Sequence, residues 1–383
     1  MRLTKLFKDF FESEKAGGFI LVGCTAVSLL LANSATGNDY INFWETYIGG
    51  HSLVHWINDG LMAIFFLLIG LELEREIYVG ELSNIKNATL PLAAAIGGML
   101  VPAGIYWGIN YGTPTQSGIG IPMATDIAFA LGVLSLLGNR IPASLKVFLT
   151  ALAVIDDLGA ILIIAFFYSK GLVITNLLIS LGIFGVLLVL NRLKIHNLIP
   201  YMIGGVAMWY FMLHSGVHAT ITGVLLAFAL PFGDGSEKSP SYLLQHWLHK
   251  PVAFVILPIF ALANTAFVIS ANFESLFQAP YSLGILLGLC VGKPLGIAAL
   301  SALAVALGWG KLPDELSWPK IIGAGMLAGI GFTMSIFITL LAFDDTLLVN
   351  NAKFTILIAS LLSAIVGYIV LTTAPKLLER EQD

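Results

Sequence analysis

Twelve stretches of this chain are apolar over nearly the length of helix that crosses a bilayer, about 20 residues for a hydrocarbon core ~30 Å thick. They cover residues 17–33, 55–73, 88–109, 118–138, 143–168, 171–191, 199–213, 216–232, 251–271, 281–307, 320–343 and 352–373. Runs this long without alternation are helical, because barrel strands alternate apolar and polar over ~10 residues. Composition points the same way: 57% of the residues are hydrophobic and only 11% charged, too few charges to solvate a soluble protein's surface. A balance of 19 Lys and Arg against 23 Asp and Glu leaves no basic excess for nucleic acid. The two cysteines, Cys24 and Cys290, both lie in apolar runs and are not a disulfide framework. The expected fold class is an all-α polytopic membrane protein with about 12 transmembrane helices.

The chain reads as one membrane domain, 17–373, between an N-terminal segment, 1–16, and a short tail, 374–383. In the N-terminal segment Leu3, Leu6, Phe7, Phe10 and Phe11 share a helical face, with Lys5, Lys8, Asp9 and Glu12 off it. That pattern predicts an amphipathic helix on the membrane surface, and it argues against a cleaved signal peptide at 17–33. Lys and Arg gather at both termini and in alternate loops, for example Arg75 and Lys86, Arg140 and Lys146, and Arg192 and Lys194. The opposite side has only Lys170 and Lys353, so both termini are predicted to be cytoplasmic.

Away from the run ends, charged residues are few: Asp59, Asp126, Asp156, Asp157 and Lys293, with Glu72 and Glu76 at the cytoplasmic end of the second run. A charge at mid-membrane costs roughly 2.5–3.5 kcal/mol on insertion scales, so such groups usually face a polar cavity and have a function. A structural ion pair between helices is the plain alternative, above all for a single residue such as Asp59. Asp156 and Asp157 are adjacent, about 100° apart around a helix, and therefore face different surroundings. A carboxylate held away from bulk water is a hard oxygen ligand for a hard cation and also a proton acceptor. An ion and a proton can then compete for one site, which is what exchange requires.

Two runs contain helix breakers at mid-depth. Pro122 precedes Thr125 and Asp126 in the fourth, and Gly329 and Gly331 precede Phe332 and Thr333 in the eleventh. Backbone freed by a break must be satisfied inside protein, and half-helix ends present partial charges to a central site. The triplets 88–168 and 281–373 each place a broken run between two long ones, and with three crossings each they would run in opposite senses. They are the expected core, with 17–73 and 171–271 as supporting or dimer-facing helices. Asp126 at one break and Lys293 near the other are positioned to offset the helix-end dipoles.

No phosphate-binding loop is present, since Gly292-Lys293-Pro294 lies inside a run, so ATP-driven pumping is not expected. His214 and His218 are one turn apart, but Ser215 replaces the Glu of a zinc-protease motif, which favours a hydrogen-bonding role. Three other readings use the same acids: a passive cation channel, an intramembrane aspartyl hydrolase and a sodium/solute symporter.

The Asp156-Asp157 pair and Ala124-Thr125-Asp126-Ile-Ala-Phe-Ala-Leu-Gly resemble the NhaA family of bacterial sodium/proton antiporters. The resemblance continues through Trp-Ile-Asn-Asp59, Phe-Phe-Leu-Leu-Ile-Gly-Leu-Glu72, Ser-Gly-Val-His218-Ala-Thr, Gly-Lys293-Pro-Leu-Gly and Gly-Ile-Gly-Phe-Thr-Met-Ser-Ile-Phe. It implies an antiporter rather than an enzyme, with an inverted repeat and two crossed broken helices. It implies sodium or lithium bound at Asp157, with Asp156 as partner in ion and proton exchange and Lys293 as a candidate counter-charge. Thr125 and Asp126 would border the site, and Asp126 and Lys293 would compensate the dipoles. Exchange would be electrogenic, in the inner membrane, serving sodium and pH homeostasis. No cofactor is implied, because the alkali cation is cargo.

The same resemblance implies pH regulation from a cytoplasmic cluster, here Glu72, Arg75, Glu76, His246 and His249. Gln245 stands where Glu is expected, Glu74 where Lys is expected, and Tyr242 and Leu243 where positive charge is often found. These departures bear on the pH set-point. A homodimer is compatible with the family, although the loop 34–54 is short for a dimerising hairpin.

Overall fold

The computed structural model describes residues 5–169, 171–233, 235–269, 278–313 and 315–380. Lys170 and the first four residues of the N-terminal segment lie outside them. The described chain is almost entirely helical: α1 Lys5–Ala32, α2 Gly37–Trp44, α3 Leu53–Tyr78, α4 Ile85–Asn110, α5 Ile127–Leu136, α6 Ala143–Phe167 and α7 Ile174–Arg192. It continues with α8 Leu198–Leu213, α9 Ile221–Ala229, α10 Pro240–Asn264, α11 Pro280–Ala306, α12 Trp318–Ala328, α13 Phe332–Ala342 and α14 Thr346–Arg380.

Eight of the described helical segments are long and apolar enough to cross a membrane, or up to ten if each of two bent pairs counts as one span. One bent pair is α12 with α13, which meet at 47°; in the other, α2 turns away from α1 by 120°. α8 is shorter, and the run 216–232 yields only the nine residues of α9 after a stretch of turns. In the expected loop 34–54 the structure has α2 and a two-stranded hairpin, Tyr47–Ile48 with His51–Ser52. Gly49 and Gly50 close it with φ of +62° and +93°, the left-handed turn that matches strand twist.

Three spans contain π turns that hydrophobic periodicity does not reveal: Trp56–Leu61 in α3, Val252–Ile256 in α10 and Gly288–Gly292 in α11. The second follows Pro251, which has no amide hydrogen for the helical ladder. The third ends immediately before Lys293 and sets the direction in which that side chain leaves the helix.

Packing follows small residues, as expected where lipid gives helices no apolar reason to associate. α4 packs on α11 with backbones in contact: a Cβ on Gly97 would meet the Gly296 carbonyl, and one on Gly296 would meet the Gly97 carbonyl. α3 pairs with α9, α1 with α5, and α12 with α14. The segments Gln116–Leu136 and Ala143–Ala165 are the most enclosed, whereas Ile174–Arg192 is the most exposed and faces outward. The centre of the molecule is therefore where the breaks and the paired acids lie.

Candidate ion-binding site at two helix breaks

The first break begins with a 3-10 segment, Gln116–Met123, in which Pro122 withholds an amide. Ala124 is extended (φ −78°, ψ 150°), and Asp126 (φ −86°, ψ 100°) caps α5 by accepting from the Phe129 amide at 2.9 Å. The second break spans Gly329–Gly331 between α12 and α13. Its glycines answer to crowding, since a Cβ on Gly329 would meet the Leu289 carbonyl and Ser363 Oγ, and one on Gly331 would meet Ser335 Oγ and Leu289. Neither has a positive φ.

The breaks satisfy each other's backbone. The Asp126 amide donates to the Ile330 carbonyl at 2.7 Å, and Thr125 Oγ1 lies 2.9 Å from the Ala328 carbonyl. Thr333 donates both its amide (3.1 Å) and its hydroxyl to Asp126 Oδ2, and Ser335 Oγ donates to the Ile121 carbonyl at 2.7 Å. Ser360 Oγ, on α14, accepts the Phe332 amide at 3.1 Å. Polar backbone in a water-poor interior is thus paired across elements.

Asp156 and Asp157, side by side on α6, have opposite environments. Asp156 Oδ2 accepts from Lys293 Nζ at 2.5 Å and from Thr125 Oγ1 at 2.7 Å. Lys293 Nζ also donates to Thr125 Oγ1 at 2.5 Å and to the Met123 carbonyl. Both oxygens of Asp157, and Oδ1 of Asp156, have no hydrogen-bond partner among the described residues. Asp126, Asp156, Asp157 and Lys293 are all 2% exposed or less. This central group therefore sets three buried carboxylates against one ammonium, and among the described residues no second cationic side chain forms a salt bridge with them. Buried negative charge in excess needs a cation or a proton to balance it.

Lys293 was expected near the second break; its ammonium ends at the first, on the Met123 carbonyl. There it meets the carbonyl end of the 3-10 segment, while Asp126 caps the amide ends of α5 and α13. Both charges act on helix ends, but not one per break.

Among the described residues no group of three or more His, Cys, Asp or Glu converges closely enough to hold a metal ion by itself. A cation here would combine the free oxygens of Asp157 and Asp156 with neutral oxygens such as Thr125 Oγ1 and freed carbonyls, a hard donor set.

The residues expected at the cytoplasmic mouth also assemble. His249 Nδ1 lies 3.5 Å from Glu72 Oε1, with both side chains buried. The Arg75 guanidinium sits over the Tyr242 ring, 5.0 Å from its centre, and the exposed His246 ring stacks on Tyr242 at 6.3 Å. Glu76 is half-buried one turn beyond Glu72. Glu74 is buried, and its Oε2 has no partner among the described residues.

Asp59 is separate from the central acids' hydrogen-bond network. It lies on the α3 π turn, 3.4 Å from His55 Nδ1, within electrostatic reach of His51 and His218. His218 Nε2 meets the Tyr168 carbonyl at 3.0 Å, while His214 Nδ1 meets the Tyr210 carbonyl at 2.8 Å. Each imidazole thus has its own backbone partner, as a hydrogen-bonding role requires. Lys353, read from sequence as a loop charge, lies on α14 and is buried.

Thr333, Ser335 and Ser360 join the site without being among the residues expected there. Hydroxyls beside a Gly-x-Gly break were the available signal for the first two; Ser360 had none, because it belongs to another helix.

The profile of the family described as Na+/H+ antiporter 1 matches residues 8–371. A protein of Flavobacterium psychrophilum named Na(+)/H(+) antiporter NhaA is 70% identical over 368 residues, covering 96% of each chain. Its namesake from Flavobacterium johnsoniae, numbered 1, is 63% identical over 97% of each chain. One from Cytophaga hutchinsonii is 61% identical over 96% of this chain and 95% of its own.

Proposed function

The chain belongs to the Na+/H+ antiporter 1 family, and from that premise we propose that it moves sodium or lithium out of a bacterial cell by exchange for external protons at Asp157 and Asp156. The observation that carries this reading is the central imbalance: three buried carboxylates, one ammonium, and an Asp157 whose two oxygens lack protein partners among the described residues. Either a proton or an alkali cation answers that excess charge, and both cannot occupy the same oxygens. Sodium arriving from the cytoplasm displaces protons, the core reorients, and external protons displace sodium.

Asp157 takes the ion and Asp156 completes the site, with Lys293 holding Asp156 when the ion is away. Thr125 supplies a neutral oxygen at the rim. Exchange is electrogenic if more than one proton returns for each sodium, and two adjacent acids offer that capacity. The eight segments long enough to span, one of them broken at Ala124–Asp126, together with α1, α8, α9 and the α12–α13 pair accommodate a twelve-span reading in which the two broken spans cross. The alternating positive charges favour an inner-membrane protein with both termini in the cytoplasm. The Glu72–His249 pair and the Arg75–Tyr242–His246 stack support pH control from the cytoplasmic mouth, because histidine changes charge near neutral pH.

The test is purified protein in proteoliposomes holding a pH gradient. Added sodium should dissipate the gradient and alter the membrane potential in one coupled process. Sodium flux without proton movement would leave a channel, and a requirement for an organic solute would leave a symporter.

A further inference from the structure

Of the three central acids, Asp126 alone has hydrogen-bond donors on both oxygens among the described residues. Oδ1 accepts from the Phe129 amide, and Oδ2 accepts from both the amide and the hydroxyl of Thr333. Its own amide is bonded to the Ile330 carbonyl. One aspartate thus caps α5 and α13 together, while its neighbour Thr125 turns the other way, to Asp156 and Lys293. Thr333 is 2% exposed, and its hydroxyl is the side-chain donor to Asp126 among the described residues.

We propose that Thr333 is a positioning residue that sets cation specificity. By tying the Asp126 carboxylate to the start of α13, it withholds a third acid from the transported ion. The ion then meets the Asp157 and Asp156 oxygens and neutral ligands only. This rests on the sodium-site reading above. A site with fewer anionic oxygens has a weaker field and suits sodium, which dehydrates readily. Releasing Asp126 into the site strengthens the field and favours the smaller, more strongly hydrated lithium.

The experiment compares the wild type with Thr333→Val, which has similar volume but lacks the hydroxyl donor. Proton exchange in proteoliposomes is measured against sodium and against lithium at fixed pH, over enough concentrations to separate KM from kcat. In T333V the KM for lithium should fall relative to that for sodium by about tenfold, the lower end for loss of one hydrogen bond to a charged group. Thr333→Ser, which retains the donor, should restore the wild-type ratio. A lower kcat for both cations with an unchanged KM ratio would overturn the proposal, as would T333S behaving like T333V. If T333V fails to insert, Thr333→Ala removes the same donor with less bulk, and the ratio is read there. A wild type that exchanges neither cation for protons would instead defeat the sodium-site reading and leave the Thr333–Asp126 joint as architecture.

Discussion

Lys293 Nζ lies 2.5 Å from Asp156 Oδ2, with neither side chain reaching solvent. This one pair separates two chemically identical neighbours. Asp156 has a counter-charge and a hydroxyl donor, whereas Asp157, the next residue, has neither among the described residues. Different substitutions in this group should therefore fail in different ways.

Asp157→Asn should reduce sodium-dependent proton exchange by roughly 100-fold or more, because the neutral amide cannot balance a cation in a buried site. Since the Asp157 carboxylate makes no hydrogen bond among the described residues, the melting temperature in detergent should stay within about 3 °C of wild type or rise. Normal exchange by this variant would show that the ion binds elsewhere.

Lys293→Met should be destabilising by about 3–5 kcal/mol, because it strands the Asp156 charge in the interior. The double variant K293M/D156N removes both partners and should regain most of that loss, which thermal unfolding of the four proteins in one detergent can measure. Additive losses would mean that the 2.5 Å contact couples nothing.

Gly97→Ala and Gly296→Ala each place a Cβ against the opposing carbonyl at the α4–α11 contact. Neither neighbour is a flexible side chain, so each variant should lose about 1–3 kcal/mol of stability. Gly104→Ala on the same α4, where a Cβ meets nothing within 4 Å, is the control and should be neutral or slightly stabilising. Equal melting temperatures for all three would remove the close-packed crossing from the account.

Glu72→Gln and His249→Ala should each shift the pH profile of exchange, by about half a unit or more if their 3.5 Å pair contributes to the response. The double variant should shift no further than the larger single. Independent, additive shifts would mean that the two residues act separately, and no shift would place pH control elsewhere.

Much of this site was legible along the chain. The Asp156-Asp157 pair, Pro122 before Thr125-Asp126, and Gly329 and Gly331 before Thr333 all stand in runs that are otherwise mostly apolar. A helix in lipid satisfies its own backbone residue by residue, so a breaker or an acid there is conspicuous from sequence alone. The adjacency of the two acids also required that they part ways. Less visible were the π turns, which shift register without changing apolar composition, and the nine-residue α9, whose run 216–232 is apolar enough to suggest a full span.

By itself, the order of residues determined that this chain lives in a membrane, where its helices weaken, and which acids lie at depth. Those properties are sums over consecutive residues. Only the tertiary structure decided that Lys293, 137 positions from Asp156, takes that acid and leaves the Asp157 carboxylate without a partner among the described residues, and that Thr333, 207 positions from Asp126, claims the third. The reason is that buried polar groups take partners from whichever helix the packing brings alongside, and that packing is set by contacts such as Gly97 on Gly296.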